Sequence, residues 1–295
     1  TLSTGVATSG GTGALSILVG SAASGRTGSI TIAVGDGASG GVGGGIAIQA
    51  GDHKGTIGEG GPISVTSGFG VGLDPVLKKG SGAIELTTAN SFGFGASGSI
   101  TLSTGTSSQG VGGSIVLAVG DGLCGKGGTI SITAGHASSG DGGGMQLSAG
   151  TSTAVDATGG SVSLSSGSSD GAATTGDSGA LSLITADGEA GGSSGTITLS
   201  TGSAPDGSSG DIALRTSDAT GGTAGAIYVS VGASVCGAGA DMALAGGQST
   251  SGNGGSLYLR GGYSVQASSG DVSLFTMNGG SGSSGLLSIS TGTST

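Results

Sequence analysis

An aliphatic residue followed two positions later by a second one, fenced on both sides by glycine, recurs along the entire chain. The first aliphatic falls at Leu15, Ile30, Ile46, Ile63, Ile84, Ile100, Ile115, Ile130, Met145, Val162, Leu181, Ile197, Ile212, Ile227, Met242, Leu257, Val272 and Leu287. That makes eighteen copies in 295 residues, most of them 15 residues apart. A period this short is too small for a domain with its own core and requires stacked repeats. Two aliphatics per copy are also too few to offset the ordering of a whole glycine-rich repeat. An isolated copy is therefore not expected to fold, and stability has to come from neighbours.

Within a copy the pattern is apolar, small, apolar, small, as in Ile30-Thr31-Ile32-Ala33-Val34. Alternation with period two places the apolar residues on one face, and β-branched residues are common in it, as strands prefer. Numbering the first aliphatic as position 0, glycine recurs at position −2 (Gly28, Gly98, Gly113, Gly128, Gly195, Gly210, Gly225). It recurs again at +5 (Gly20, Gly35, Gly105, Gly120, Gly135, Gly150) and at +10 (Gly25, Gly40, Gly110, Gly125, Gly140, Gly222, Gly237, Gly252). Such columns mark corners that need either positive φ or a close approach of backbone.

The fold expected is all-β: one continuous parallel β-solenoid over residues 1–295, about eighteen repeats of ~15 residues, without notable helices. Equivalent strands then stack into two inner ladders, represented by Ile30, Ile32, Ile100, Leu102, Ile115, Leu117, Ile130, Ile132, Ile197 and Leu199. One coil per repeat gives a rod of roughly 85–90 Å at about 4.8 Å per coil. Two repeats per turn, one strand on each of two facing sheets, halves that length. An antiparallel meander is disfavoured, because a glycine-rich link of this length is long for a hairpin. Longer spacings predict loop insertions near 69–81 and 168–178 that protrude without shifting the ladder. The chain starts at Thr1 within a strand and stops at Thr295 midway through a copy, which reads as an excerpt of a longer array or as units continuing end to end.

Glycine supplies 74 residues, but the periodic aliphatics and a positive mean hydropathy argue against a disordered linker. The formal net charge is −10 with seven Lys and Arg, so there is no basic stripe for nucleic acid and no attraction to anionic lipid. No apolar run approaches a membrane span.

Chemistry is sparse. His136, Ser139 and Asp141 are triad residue types, but they lack the strand, elbow and helix that such a site requires. His53 and His136 with no Cys-x-x-Cys leave no zinc site, and no cofactor or enzymatic activity is expected. Asp36, Asp52 and Asp121 share one phase, but their period does not match calcium-binding nonapeptide repeats, and they read as turn caps. Cys124 and Cys236 share a phase seven repeats apart, about 34 Å in a one-coil-per-repeat stack, too far for an intramolecular disulfide; they are either free or cross-link neighbouring chains.

The outward strand positions are mostly Ser, Thr and Ala, a face suited to close lateral packing or, less well, to ice. It is interrupted in the last third by Arg215, Tyr228, Tyr258, Arg260 and Phe275, which form a candidate lateral contact, as does the Lys78-Lys79 pair in the first insertion. There is no N-glycosylation sequon, and the Ser/Thr content leaves room for O-linked glycan.

The cassettes Gly113-Ser114-Ile115-Val116-Leu117-Ala118-Val119-Gly120 and Gly195-Thr196-Ile197-Thr198-Leu199-Ser200-Thr201-Gly202 are similar to those of large Gly/Ser/Thr-rich β-strand-repeat surface proteins of microbes and algae. The resemblance implies an extracellular or cell-surface role and carries over no site residue. The expected function is structural: the shaft or wall of an extracellular filament or surface appendage, a flagellar hair being one example, with self or homologous repeat chains as partners. The alternative is an adhesin stalk or an ice-binding surface.

Overall fold

A computed structural model describes residues 2–8, 11–37, 42–54, 56–70, 80–92, 94–123, 125–169 and 176–293. It comprises two units, Thr1–Gln146 and Leu147–Thr295, and the same local architecture repeats within each. The described residues contain neither helix nor strand, and none of them is buried. Accessible surface is 28671 Å², against about 10,700 Å² for a compact monomer of this mass and about 38,000 Å² for an unfolded chain. Among the described residues the structure thus gives no positive sign of the stacked coils read from the sequence, and the aliphatic pairs there face solvent.

What the chain does form is a closed loop between successive cassettes. The N–H of the glycine at −2 donates to the carbonyl of the preceding +5 glycine: Gly61 to Gly51, Gly82 to Gly68 and Gly143 to Gly135, each 2.9 Å, in the first unit. In the second, Gly160 bonds Gly150 and Gly179 bonds Gly167 at 2.9 Å, while Gly255 bonds Gly247 and Gly270 bonds Gly262 at 2.8 Å. These bonds make a neck at the base of each of these seven loops. In the loop between Ile100 and Ile115 a side chain makes the closing bond: Thr104 Oγ1 donates to the Gly113 carbonyl at 3.3 Å.

The neck explains the −2 glycines. Nearly every one faces the residue at +4 of the previous cassette. A Cβ on Gly113 would stand 3.1 Å from Thr104 Cβ, one on Gly44 2.6 Å from Val34 Cγ1, and one on Gly128 would overlap Val119 Cγ1. At Gly28, Gly44, Gly113 and Gly128 close approach, not unusual φ, selects glycine, whereas at Gly195, Gly210 and Gly285 a Cβ would meet its neighbour only at ordinary contact distance. Three of the +10 glycines have the other cause, since Gly25, Gly140 and Gly191 sit at φ 95°, 120° and 84°, whereas Gly110, Gly222, Gly237 and Gly252 do not have positive φ. The +5 glycines have open space where a Cβ would go, as at Gly20, Gly105, Gly120 and Gly232. The sequence agrees, for Ala89, Ala186, Ser217 and Met277 take that place in other copies.

The loop tip is equally regular, bending at +8 to +10: Ala23–Gly25, Ser108–Gly110, Ser138–Gly140, Val235–Gly237 and Thr250–Gly252. Where +7 is serine in a 15-residue copy, its hydroxyl accepts the N–H of +10. Ser107 does so from Gly110 at 2.9 Å, Ser234 from Gly237 at 3.1 Å, Ser249 from Gly252 at 2.8 Å and Ser264 from Ala267 at 2.9 Å. Serine offers the backbone this local acceptor readily, and the bend follows.

Both predicted insertions hang from intact necks, Gly68–Gly82 and Gly167–Gly179. Residues 71–79 and 170–175 within them lie outside the described residues.

Candidate functional site

Position in the cassette sets how far each apolar side chain stands out. The residue at 0 is tucked beside the neck, and the one at +2 projects further. Ile30 is 52% exposed against 71% for Ile32, and the same order holds for Ile100 and Leu102, Ile115 and Leu117, Ile130 and Ile132, and Ile197 and Leu199. The ten residues chosen as inner ladders are thus displayed on the lone chain, in rows without a partner. Met242, at 47%, is the least exposed residue at position 0.

The aromatic and cationic residues of the last third are also displayed. Tyr228 is 91% exposed, Tyr258 78% and Phe275 73%. Arg260 lies in solvent. Arg215 lines a shallow concavity with Thr216, Ser217 and Asp218, four consecutive residues that recruit nothing from elsewhere in the chain. No described contact gathers these five residues into one site. Lys78 and Lys79 lie outside the described residues.

Sequence reasoning missed two groups. The +7 serines were not singled out, although a Ser-x-x-Gly spacing at fixed phase (Ser107 to Gly110, Ser234 to Gly237, Ser249 to Gly252) was there to be read. The exposed Phe92, Phe94 and Tyr263 were passed over because they belong to loops rather than to strand positions.

Among the described residues no three His, Cys, Asp or Glu side chains come together, so none of Asp36, Asp52 and Asp121 belongs to such a cluster. The His53 ring stands 2.7 Å from where a Gly58 Cβ would be. Cys236 is exposed and free, whereas Cys124 lies outside the described residues. No described helix is long and apolar enough to cross a membrane. No family model, curated protein or solved structure matches the chain.

Proposed function

We propose that this chain is a structural protein whose cassettes become ordered by stacking as a β-solenoid, building the shaft or wall of an extracellular filament or surface appendage. The observation that carries the reading is the row of aliphatic pairs, at one phase through both units, all solvent-facing on the single chain. Apolar surface displayed at fixed intervals is driven to associate. Identical spacing in a neighbouring chain or cassette is the surface that matches it in register. The necks prepare this state, because they hold each loop out of the way of the cassettes. The extracellular placement rests on the resemblance to repeat surface proteins.

Sedimentation of the purified chain over a wide concentration range tests the proposal. Growth into large assemblies with a gain of β-structure by circular dichroism is expected. A chain that stays monomeric and unstructured at high concentration counts against it.

A further inference from the structure

We infer that the Asn253-Gly254 peptide is a site of covalent self-modification, where the backbone nitrogen of Gly254 attacks the Asn253 side chain and leaves a mixture of aspartyl and isoaspartyl residues. The inference concerns one loop of the single chain and does not rest on the assembly proposed above.

The chain has three asparagines, Asn90, Asn253 and Asn278, all exposed. Serine follows the first, and glycine follows the other two. A side chain on the following residue crowds that residue's own backbone nitrogen, and glycine removes the hindrance. Asparagine followed by glycine thus places an amide carbon and an unhindered nitrogen within reach of a five-membered ring. Holding two reacting groups together in this way is what makes an intramolecular attack fast.

The structure then separates the two glycine-linked asparagines. Around Asn253 the N–H groups on either side of the dipeptide are committed. Ser249 Oγ accepts from Ser251 at 3.4 Å and from Gly252 at 2.8 Å, and the Gly247 carbonyl accepts from Gly255 at 2.8 Å. Among the described residues nothing accepts the Gly254 N–H, so this nitrogen is left to solvent. A Cβ on Gly254 would have one neighbour within 4 Å, the Gly247 carbonyl oxygen at 3.6 Å. The peptide between Asn253 and Gly254 has room to turn, as ring closure requires. The Asn278-Gly279 peptide does not. The chain bends at Gly280–Gly282 and folds back on it, so a Cβ on Gly279 would overlap the Gly282 carbonyl and stand 2.8 Å from that of Ser283.

The step balances with water alone. The Gly254 nitrogen gives its proton to solvent base and bonds to Asn253 Cγ. The Cγ–Nδ2 bond breaks, ammonia leaves, and a cyclic imide remains. Water then opens the ring at Cγ, giving aspartate, or at the main-chain carbonyl, giving isoaspartate. Either product adds a carboxylate to a chain of net charge −10. Isoaspartate also carries the chain through the side-chain methylene. That extra backbone carbon falls two residues before Gly255, whose N–H closes the neck.

The test follows the full chain, dilute and at mildly alkaline pH, by mass spectrometry of its peptides, with loss of amide read at each asparagine. Asn253 should react at least about tenfold faster than Asn278, with Asn90 last and isoaspartate present at position 253. In concentrated urea the bend at Gly280–Gly282 is lost, and Asn278 should approach the rate of Asn253. Gly254→Ala is the second arm. Its methyl group meets only the Gly247 carbonyl, at ordinary contact distance, so the loop accepts it. It should slow the loss at Asn253 by at least about tenfold through hindrance at the attacking nitrogen. Equal rates at Asn253 and Asn278 in the native chain would overturn the inference. So would an Asn253 that stays intact, wild-type loss from Gly254→Ala, or aspartate formed without isoaspartate.

Discussion

Gly120 and Gly128 lie in one loop and are chemically identical, yet they answer to different constraints. A Cβ on Gly128 overlaps Val119 Cγ1, whereas one on Gly120 meets nothing within 4 Å. Gly128→Val should therefore lower the stability of assembled protein by about 1–3 kcal/mol, the range for overpacking. Gly120→Val should stay within about 0.5 kcal/mol, as at an unconstrained surface site. Urea dissociation curves of the two variants check the contrast, and equal losses would mean that the neck does not persist in the assembly. Ala240 is the one non-glycine at −2. The +7 serine makes a smaller claim. Ser249→Ala removes an acceptor 2.8 Å from the Gly252 N–H and should cost about 0.5–1.5 kcal/mol, with Ser249→Thr restoring it. The same urea curves read this, and a threonine variant as weak as the alanine one would show that the hydroxyl is not what matters.

At the scale of the cassette and its loop, the neck decouples loop length from the cassettes. Gly82 reaches Gly68 at 2.9 Å and Gly143 reaches Gly135 at the same distance, although the first loop is six residues longer. Excising residues 72–77 would give the first loop the common length. Loop closure entropy changes only by about 0.6 kcal/mol per doubling of length. The excised chain should assemble at the wild-type concentration within about twofold, measured by sedimentation. A marked loss of assembly would show that the insertion itself makes a contact.

The cassette, its period and all three glycine columns were legible in the sequence, although the +5 column answers to no constraint of space or φ. The separate causes were not. Whether a glycine serves φ, as Gly140 does, or close approach, as Gly113 does, depends on a partner nine or ten residues away that composition does not reveal. A thirty-residue period was legible too, in Asp211, Asp241 and Asp271. It is masked in a fifteen-residue alignment, since half the copies lack the aspartate. The candidate contact residues were legible as exceptions to a small-residue face.

For the molecule as a whole, exposure is the governing fact. A chain of 26.5 kDa with 28671 Å² of accessible surface has its apolar groups available to others rather than to itself. Two architectures remain to be told apart, and geometry within the second unit separates them. Ser163 and Ser288 occupy the same outward position eight cassettes apart. Spin labels there, in a chain whose two cysteines are replaced by serine, should be about 19 Å apart with two repeats per turn, against about 38 Å with one. Pulsed electron resonance on assemblies diluted with unlabelled chain reads the difference, and the longer distance would exclude the paired arrangement.

The central claim is that displayed cassettes become strands by stacking, and fibre diffraction of aligned, concentrated protein meets it most directly. The account predicts a sharp meridional reflection at about 4.7–4.8 Å, the spacing of hydrogen-bonded strands, along the filament axis. Diffuse scatter with no axial reflection, from protein at a concentration where it is abundant and intact, would contradict it.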